Sequence, residues 1–243
     1  MNTNKKIALI VMIVSIIGII AIGYGLITGD SIIGDSDLIH GSKKILVLCV
    51  DESESRQGLG AVDMAFVVSL EDGSIVKYTP FYPGGMTHPT ASEPAEAQAQ
   101  GAGSRLLLHD SLWNADNEKG LELAKEIVEY QYKVQIDAVV AVNTQAMDAI
   151  IDASGIEDGQ TNISAADLVR ENDQLHGGTM NRADAVKTLA KKISQAATND
   201  NTKTAMIQTA LDQYNAGNII ALPMNAFVQL VSSKGFGSMV SQI

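Results

Sequence analysis

The sequence has few of the residues on which several classes of protein depend. A single cysteine, Cys49, excludes an intramolecular disulfide and a paired-cysteine zinc motif. Only 17 residues are basic against 28 acidic ones, and a net charge of −11 excludes a general nucleic-acid binder, which needs clustered lysine and arginine. No Ser-His-Asp set or glycine-rich phosphate loop stands out. With five prolines and 46% apolar residues among 243, the chain has the composition of a folded protein.

The longest apolar run lies at the N-terminus. Residues 7–27 carry no charge. As a helix with a rise of about 1.5 Å per residue, a run of 21 residues is long enough to cross a hydrocarbon core of roughly 30 Å. Lys5 and Lys6 precede this run and Asp30 follows it, so the positive-inside rule places the following domain outside the cell. The alternative is a cleaved signal peptide, whose apolar region spans only about 7–15 residues.

We therefore predict a single-pass protein of the cell membrane that contacts the lipid bilayer through residues 7–27. Residues 1–28 form the cytoplasmic stub and an uncleaved signal-anchor helix, residues 29–42 a polar linker, and residues 43–243 an extracytoplasmic domain.

The segment 43–70 predicts a strand, a polar loop and a second strand. Asp51 closes the first apolar run, Asp63 opens the second, and Arg56 lies between them. Two carboxylates at facing edges of one loop are the best candidate for a site, and a hard ion such as Mg²⁺ would relieve their repulsion. Two alternatives stay open: Arg56 or Arg182 neutralises the pair as a structural ion cluster, or the two aspartates cap amides of the loop.

The pattern after this segment indicates an α/β sandwich with one shared sheet. Turn residues 71–74 predict a hairpin to a third strand, and proline and glycine predict a loop over residues 80–89. A helical pattern follows from Ser92 to about residue 108, and then a polar loop with the only tryptophan. The remaining predictions are a capped helix to residue 132, a strand over 137–142, a helix from Asn143 to 153, helices over 164–171, 183–197 and 202–214, and a strand or helix entry at 219–222.

The order of these segments resembles the extracellular domain of the LytR-CpsA-Psr family, as a divergent, uncharacterised branch. The resemblance covers residues 43–192 and is carried by KKILVLCVD, AVDMAFVVSL, IVKYTP and RLLLHDSLW. It implies a three-layer α/β/α sandwich with a mixed central sheet behind one transmembrane helix. Members of the family bind a polyprenyl-pyrophosphate-linked glycopolymer with arginines and Mg²⁺, and transfer it to the cell wall.

The resemblance also implies roles for individual residues. Asp51 and Asp63 match the metal-binding and catalytic aspartates, and Arg182 falls near a downstream arginine motif. The resemblance implies Asp51, Asp63 and Arg182 as catalytic residues, Asp51 and Asp63 as Mg²⁺ ligands, and Arg56, Arg105 and Arg170 as ligand-binding residues. For Arg170 and Arg182 the alternative is a surface ion pair.

Two arginine positions of the family are lost in this chain. Ala61 and Phe81 stand there, although a pyrophosphate needs several guanidinium groups or a metal to offset its desolvation. The loss favours an envelope-facing domain that binds a cell-surface polymer, a lipid-linked precursor or a partner protein without turnover. The alternative is an active glycopolymer phosphotransferase or pyrophosphatase that acts on polyprenyl-pyrophosphate-linked substrates with Asp51, Asp63 and Mg²⁺.

Overall fold

The computed structural model describes residues 37–54, 56–81, 83–155, 199–224, 226–227 and 229–230. Within them the elements are, in chain order, β1 (Ser42–Asp51), β2 (Ala61–Glu71), β3 (Ser74–Phe81), β4 (Thr87–Ser92), α1 (Ala95–Ala99), β5 (Arg105–Leu107), a 3₁₀ turn (Leu108–Asp110), α2 (Asn117–Tyr132), β6 (Ala138–Asn143), α3 (Thr144–Ala153), α4 (Asp200–Asn215) and β7 (Ile219–Leu222).

In the part of the chain that the structure describes, five strands form one mixed sheet in the order β3-β2-β1-β6-β7. The β1 and β6 strands are parallel, and the other neighbouring pairs are antiparallel. The predicted α/β fold with a mixed sheet is therefore confirmed, and residues 219–222 are a strand. The loop between β1 and β2 follows the C-terminal end of β1, at Asp51.

The central strand β1 is buried on both faces, as its continuous apolar run predicts. Leu46, Leu48 and Val50 belong to the core cluster that also contains the apolar face of α2. Ile45 and Val47, which point to the opposite face, are buried too. Helix α3 contacts β1 and β6 and packs against α4. Burial on both faces gives the site-bearing end of β1 a rigid base.

Local signals of the sequence account for the turn and the helix ends. Asp72 (φ 47°) and Gly73 (φ 73°) both have positive φ, as the two-residue hairpin between β2 and β3 requires. The Asp116 carboxylate accepts a hydrogen bond from the Lys119 amide at 3.0 Å and begins α2. The Asn143 side chain does the same for α3, with 2.9 Å to the Ala146 amide. The predicted hairpin and both caps are confirmed.

The predictions for residues 87–108 are wrong. Residues 87–89 begin strand β4 and do not continue a loop, and only Ala95–Ala99 of the expected helix from Ser92 is helical. Strand β5 pairs with β4 in a separate two-stranded sheet, in which Ser92 lies opposite Arg105. The buried carboxylate of Glu93 accepts a hydrogen bond from the Leu107 amide at 2.6 Å, and this long-range contact overrides the helical propensity.

Several predictions fall on residues that the structure does not describe. They are the transmembrane segment over 7–27, the helices over 164–171 and 183–197, and the positions of Arg170 and Arg182. Among the described residues, no helix combines the length and the apolar character that crossing a membrane requires.

Candidate functional site

The loop between β1 and β2 lies directly against the segment that follows β5. The Gly58 amide donates to the Trp113 carbonyl at 2.9 Å. A Cβ atom on Gly58 would lie 2.1 Å from the Leu112 carbonyl oxygen and 2.3 Å from that of Asn114, so only glycine allows this approach. The loop therefore carries its charged side chains to the 3₁₀ turn.

Arg56 is the centre of an ion cluster. Its Nη2 donates to Glu54 Oε2 at 2.8 Å, and its Nη1 donates to the Asp110 carboxylate. The guanidinium carbon lies 4.6 Å from the centroid of the Trp113 ring, which is a cation–π contact. The Arg56 side chain is only 4% exposed, so its charge is neutralised from within the protein.

His109 joins this cluster to Asp63. Its Nδ1 lies 3.0 Å from Asp110 Oδ1, and its Nε2 lies 3.6 Å from Asp63 Oδ1 and 3.8 Å from Glu54 Oε1. Hydrogen bonding to Asp110, and then to Asp63, raises the pKa of His109 to about 9. Burial opposes ionisation of Asp110, but His109 and Arg56 hold the pKa of that carboxyl below its ordinary value. With this pKa, His109 is an imidazolium at neutral pH.

A β-bulge places Asp63 at this cluster. Cys49 pairs with Met64 and Val50 with Val62, so Asp63 is the extra residue of β2 at that point. A bulge changes the direction of a side chain, and here Asp63 Oδ1 lies near the imidazole of His109. The sequence pattern gives no sign of this irregularity.

Asp51 lies at the start of the same loop and is buried. It pairs with Ala61 across the ladder, and its Oδ1 accepts a hydrogen bond from the Ser53 amide at 2.8 Å. The neighbouring Glu52 carboxylate accepts hydrogen bonds from the amide, at 3.1 Å, and the hydroxyl, at 2.6 Å, of Thr144, the first residue of α3. The predicted Mg²⁺ and catalytic roles of Asp51 and Asp63 stay predictions.

Glu93 lies behind the cluster. It is buried, its Oε1 accepts from the Leu107 amide, and its Oε2 has no hydrogen-bond donor among the described residues. Burial raises the pKa of Glu93 to about 7, and the neighbouring Asp110 carboxylate adds to the shift. A proton on Glu93 allows the two carboxyl groups to hydrogen-bond.

Arg105, the one other predicted ligand-binding arginine that the structure describes, does not contact the Arg56 cluster. Arg105 is exposed on β5, and its Nη1 donates to the Pro89 carbonyl. Ala61, at a lost arginine position, is 0% exposed. Phe81, at the other, has its ring 5.2 Å from that of Tyr132. Neither lost position presents a polar side chain.

His109 and Asp110 are the residues that the sequence predictions missed. The sequence places them in the polar loop with the only tryptophan, Trp113, and does not predict them as site residues. Trp113 is buried and lies under Arg56. The only signal in the sequence was a His-Asp pair directly after an apolar run, and its partners lie about 50 positions earlier.

A potential metal-binding group lies at the outer side of the cluster. One ligand atom each from Glu54, Asp63 and His109 lie within 4.8 Å of one another. Carboxylate oxygens and an imidazole nitrogen are metal ligands in proteins. Among the described residues Asp51 is not a member of this group.

Comparison with known proteins gives one family match and several solved structures of low similarity. No curated protein matches the chain. Protein gbs0355 of Streptococcus agalactiae is 14% identical, with 78% of this chain and 74% of that chain covered and a TM-score of 0.47. B. subtilis TagU is 13% identical, with 79% of this chain and 80% of that chain covered and a TM-score of 0.45. TagT bound to LIIa-WTA is 12% identical, with 82% of this chain and 77% of that chain covered and a TM-score of 0.42.

The family match covers residues 40–174, which is more than half of the chain. Its description is "Protein of unknown function (DUF4012)". This agrees with the uncharacterised branch that the sequence predicts. The chain belongs to the DUF4012 family, whose function is unknown.

Proposed function

We propose that the chain is a membrane-anchored, envelope-facing domain that binds a cell-surface polymer, a lipid-linked precursor or a partner protein without turning it over. In this proposal residues 7–27 span the bilayer, and the domain outside is a three-layer α/β/α sandwich. The ligand class is the one that the LytR-CpsA-Psr resemblance implies.

The proposal is supported by the burial and ion pairing of Arg56. A pyrophosphate has about three negative charges, and binding it tightly requires guanidinium groups that are free to make bidentate bonds. Arg56 already donates to Glu54 and Asp110, and its side chain is almost completely buried. Ala61 and Phe81 add no charge. The described part of the loop therefore argues against transfer of a phosphoryl group, and it leaves the glycopolymer, not the pyrophosphate, as the part of a lipid-linked ligand that would be bound.

The first prediction separates binding from turnover. When the full chain in detergent is incubated with Mg²⁺ and a polyprenyl-pyrophosphate-linked glycopolymer, we expect intact lipid to co-elute with the protein. The measurement is chromatography of the lipid before and after incubation, which would show any polyprenyl phosphate that is released. The matched control is Asp63→Asn, which should also release none.

Release by the wild type that is lost in Asp63→Asn would establish the alternative. The chain would then be a phosphotransferase or pyrophosphatase that uses Asp51, Asp63 and Mg²⁺, with Arg182 as a further catalytic residue. Absence of both release and co-elution would instead favour a protein partner over a polymer or lipid.

The second prediction concerns topology. Because Lys5 and Lys6 precede the apolar segment, protease added to intact cells should digest the domain over 43–243. An immunoblot against the C-terminal domain measures the digestion, and a cytoplasmic protein serves as the protected control. Protection of the domain in intact cells, with digestion after lysis, would reverse the proposed orientation.

A further inference from the structure

We propose that Glu54, Asp63 and His109 bind a divalent transition-metal ion, with Zn²⁺ as the best match. The His109 Nε2 atom lies 3.6 Å from Asp63 Oδ1 and 3.8 Å from Glu54 Oε1. Two ligand atoms that are each about 2.0–2.2 Å from a tetrahedral ion lie roughly 3.4 Å apart. These two distances therefore need to shorten by only a few tenths of an ångström.

Two of the three side chains, those of Asp63 and His109, come from backbone that the sheet and the 3₁₀ turn hold in place. Glu54 lies in the loop that Gly58 ties to the Trp113 carbonyl. Asp63 lies at the bulge of β2, inside the main sheet, and His109 lies in the 3₁₀ turn. A metal site needs ligands whose positions are set before the ion arrives, and the sheet and the turn provide this.

The orientation of His109 is a separate observation that points to a metal. Asp110, which is not one of the three ligands, holds Nδ1 at 3.0 Å and is itself held by Arg56. The Asp110 side chain is buried, and this contact directs Nε2 toward Asp63 and Glu54. Metal-binding histidines almost always have their second ring nitrogen fixed in this way by a carboxylate, a carbonyl or water.

The donor set selects the ion. Mg²⁺ prefers oxygen ligands in octahedral geometry and keeps several waters, whereas an imidazole nitrogen favours Zn²⁺ and related ions. Three protein ligands leave a fourth position open. The side chains of Glu54 and His109 are 48% and 32% exposed, so the ion is reached from solvent. This site shares Asp63 with the predicted Asp51 and Asp63 pair, but it replaces Asp51 by Glu54 and His109. It does not rest on the proposed function.

The experiment is calorimetric titration of the metal-free full chain in detergent with ZnCl₂ and, separately, with MgCl₂. We expect the wild type to bind a single Zn²⁺, with release of the His109 proton, and to bind Mg²⁺ much more weakly. Glu54→Gln should weaken Zn²⁺ binding by more than the roughly 10- to 100-fold that loss of an outer partner costs. Glu54 is half-exposed, so this variant keeps its fold, which the fluorescence of Trp113 can verify.

Matched controls make the result specific. Glu122→Gln removes the same charge from an exposed residue of α2 that pairs with Lys119, and it should leave the Zn²⁺ affinity unchanged. His109→Asn should abolish binding, whereas His40→Asn, in the exposed segment before β1, should not. The inference is overturned if the wild type binds no Zn²⁺, if Glu54→Gln and Glu122→Gln behave alike, or if Mg²⁺ binds as tightly as Zn²⁺.

Discussion

Replacing Glu93 by glutamine should stabilise the protein far more at pH 8 than at pH 5. Burial raises the pKa of Glu93 from 4.5 to about 7, so between these values the folded chain keeps a proton that the unfolded chain loses. The free energy of unfolding therefore falls as pH rises from about 4.5 to 7. A shift of this size corresponds to roughly 3–4 kcal/mol, because each pKa unit is worth about 1.4 kcal/mol.

Glutamine reproduces the protonated side chain without its titration. Its carbonyl oxygen can accept from the Leu107 amide, and its amide nitrogen can donate to Asp110. Urea unfolding of the full chain in detergent, followed by the fluorescence of the buried Trp113, measures the effect at both values of pH. Glu96→Gln, an exposed residue of α1, is the matched control and should not alter the pH dependence.

The comparison must be made between variants because His109 acts in the same direction at higher pH. Its pKa is raised to about 9 from 6.5, so its stabilising contribution is complete below about 6.5 and is lost as pH rises through 9. This contribution is common to the wild type and Glu93→Gln and cancels in their difference. An equal fall in stability for both proteins between pH 5 and 7 would show that Glu93 is ionised in the folded chain.

Asp110→Ala should be strongly destabilising. Asp110 accepts from the Arg56 guanidinium and contacts His109, and the side chains of Asp110 and Arg56 are both buried. Removal of one partner leaves the other charge desolvated and unpaired, which costs about 3–5 kcal/mol. The measurement is the same urea titration at pH 7, in which the midpoint should fall with an unchanged slope.

Asp152→Ala is the matched control for this change. Asp152 is exposed on α3, and surface substitutions of this kind stay within about 0.5 kcal/mol. Asp110→Asn should lie between the two, since an amide keeps the shape and one acceptor. A cost below about 1 kcal/mol for Asp110→Ala would mean that Glu54 and solvent are enough to neutralise Arg56.

The elements that sequence patterns predicted well are those whose signals are local. The hairpin at Asp72 and Gly73 and the caps at Asp116 and Asn143 depend on backbone geometry within a few residues. Residues 87–108 were mispredicted because a buried contact between Glu93 and the Leu107 amide, 14 residues apart, decides their conformation. Alanine and glutamine in that segment favour a helix only when no such contact competes.

The candidate site was predicted in location but not in composition. The two aspartates and Arg56 were visible as a loop between strands, and the loop does hold an ion cluster. Arg56, however, donates to Asp110, 54 positions later, and the partner beside Asp63 is His109. A bulge that turns one side chain and a glycine that lets two loops touch leave no periodic pattern in a sequence.

The central strand β1 has one neighbour that is close in the sequence and one that is distant. Its neighbour β2 follows after a short loop, but its other neighbour, β6, begins about 90 residues later, with Ile45 opposite Ala138. The meander of β1, β2 and β3 can therefore form while the backbone of residues 45–50 still has an unpaired edge. Such an edge pairs readily with other chains, and pairing with β6 is what covers this edge of β1.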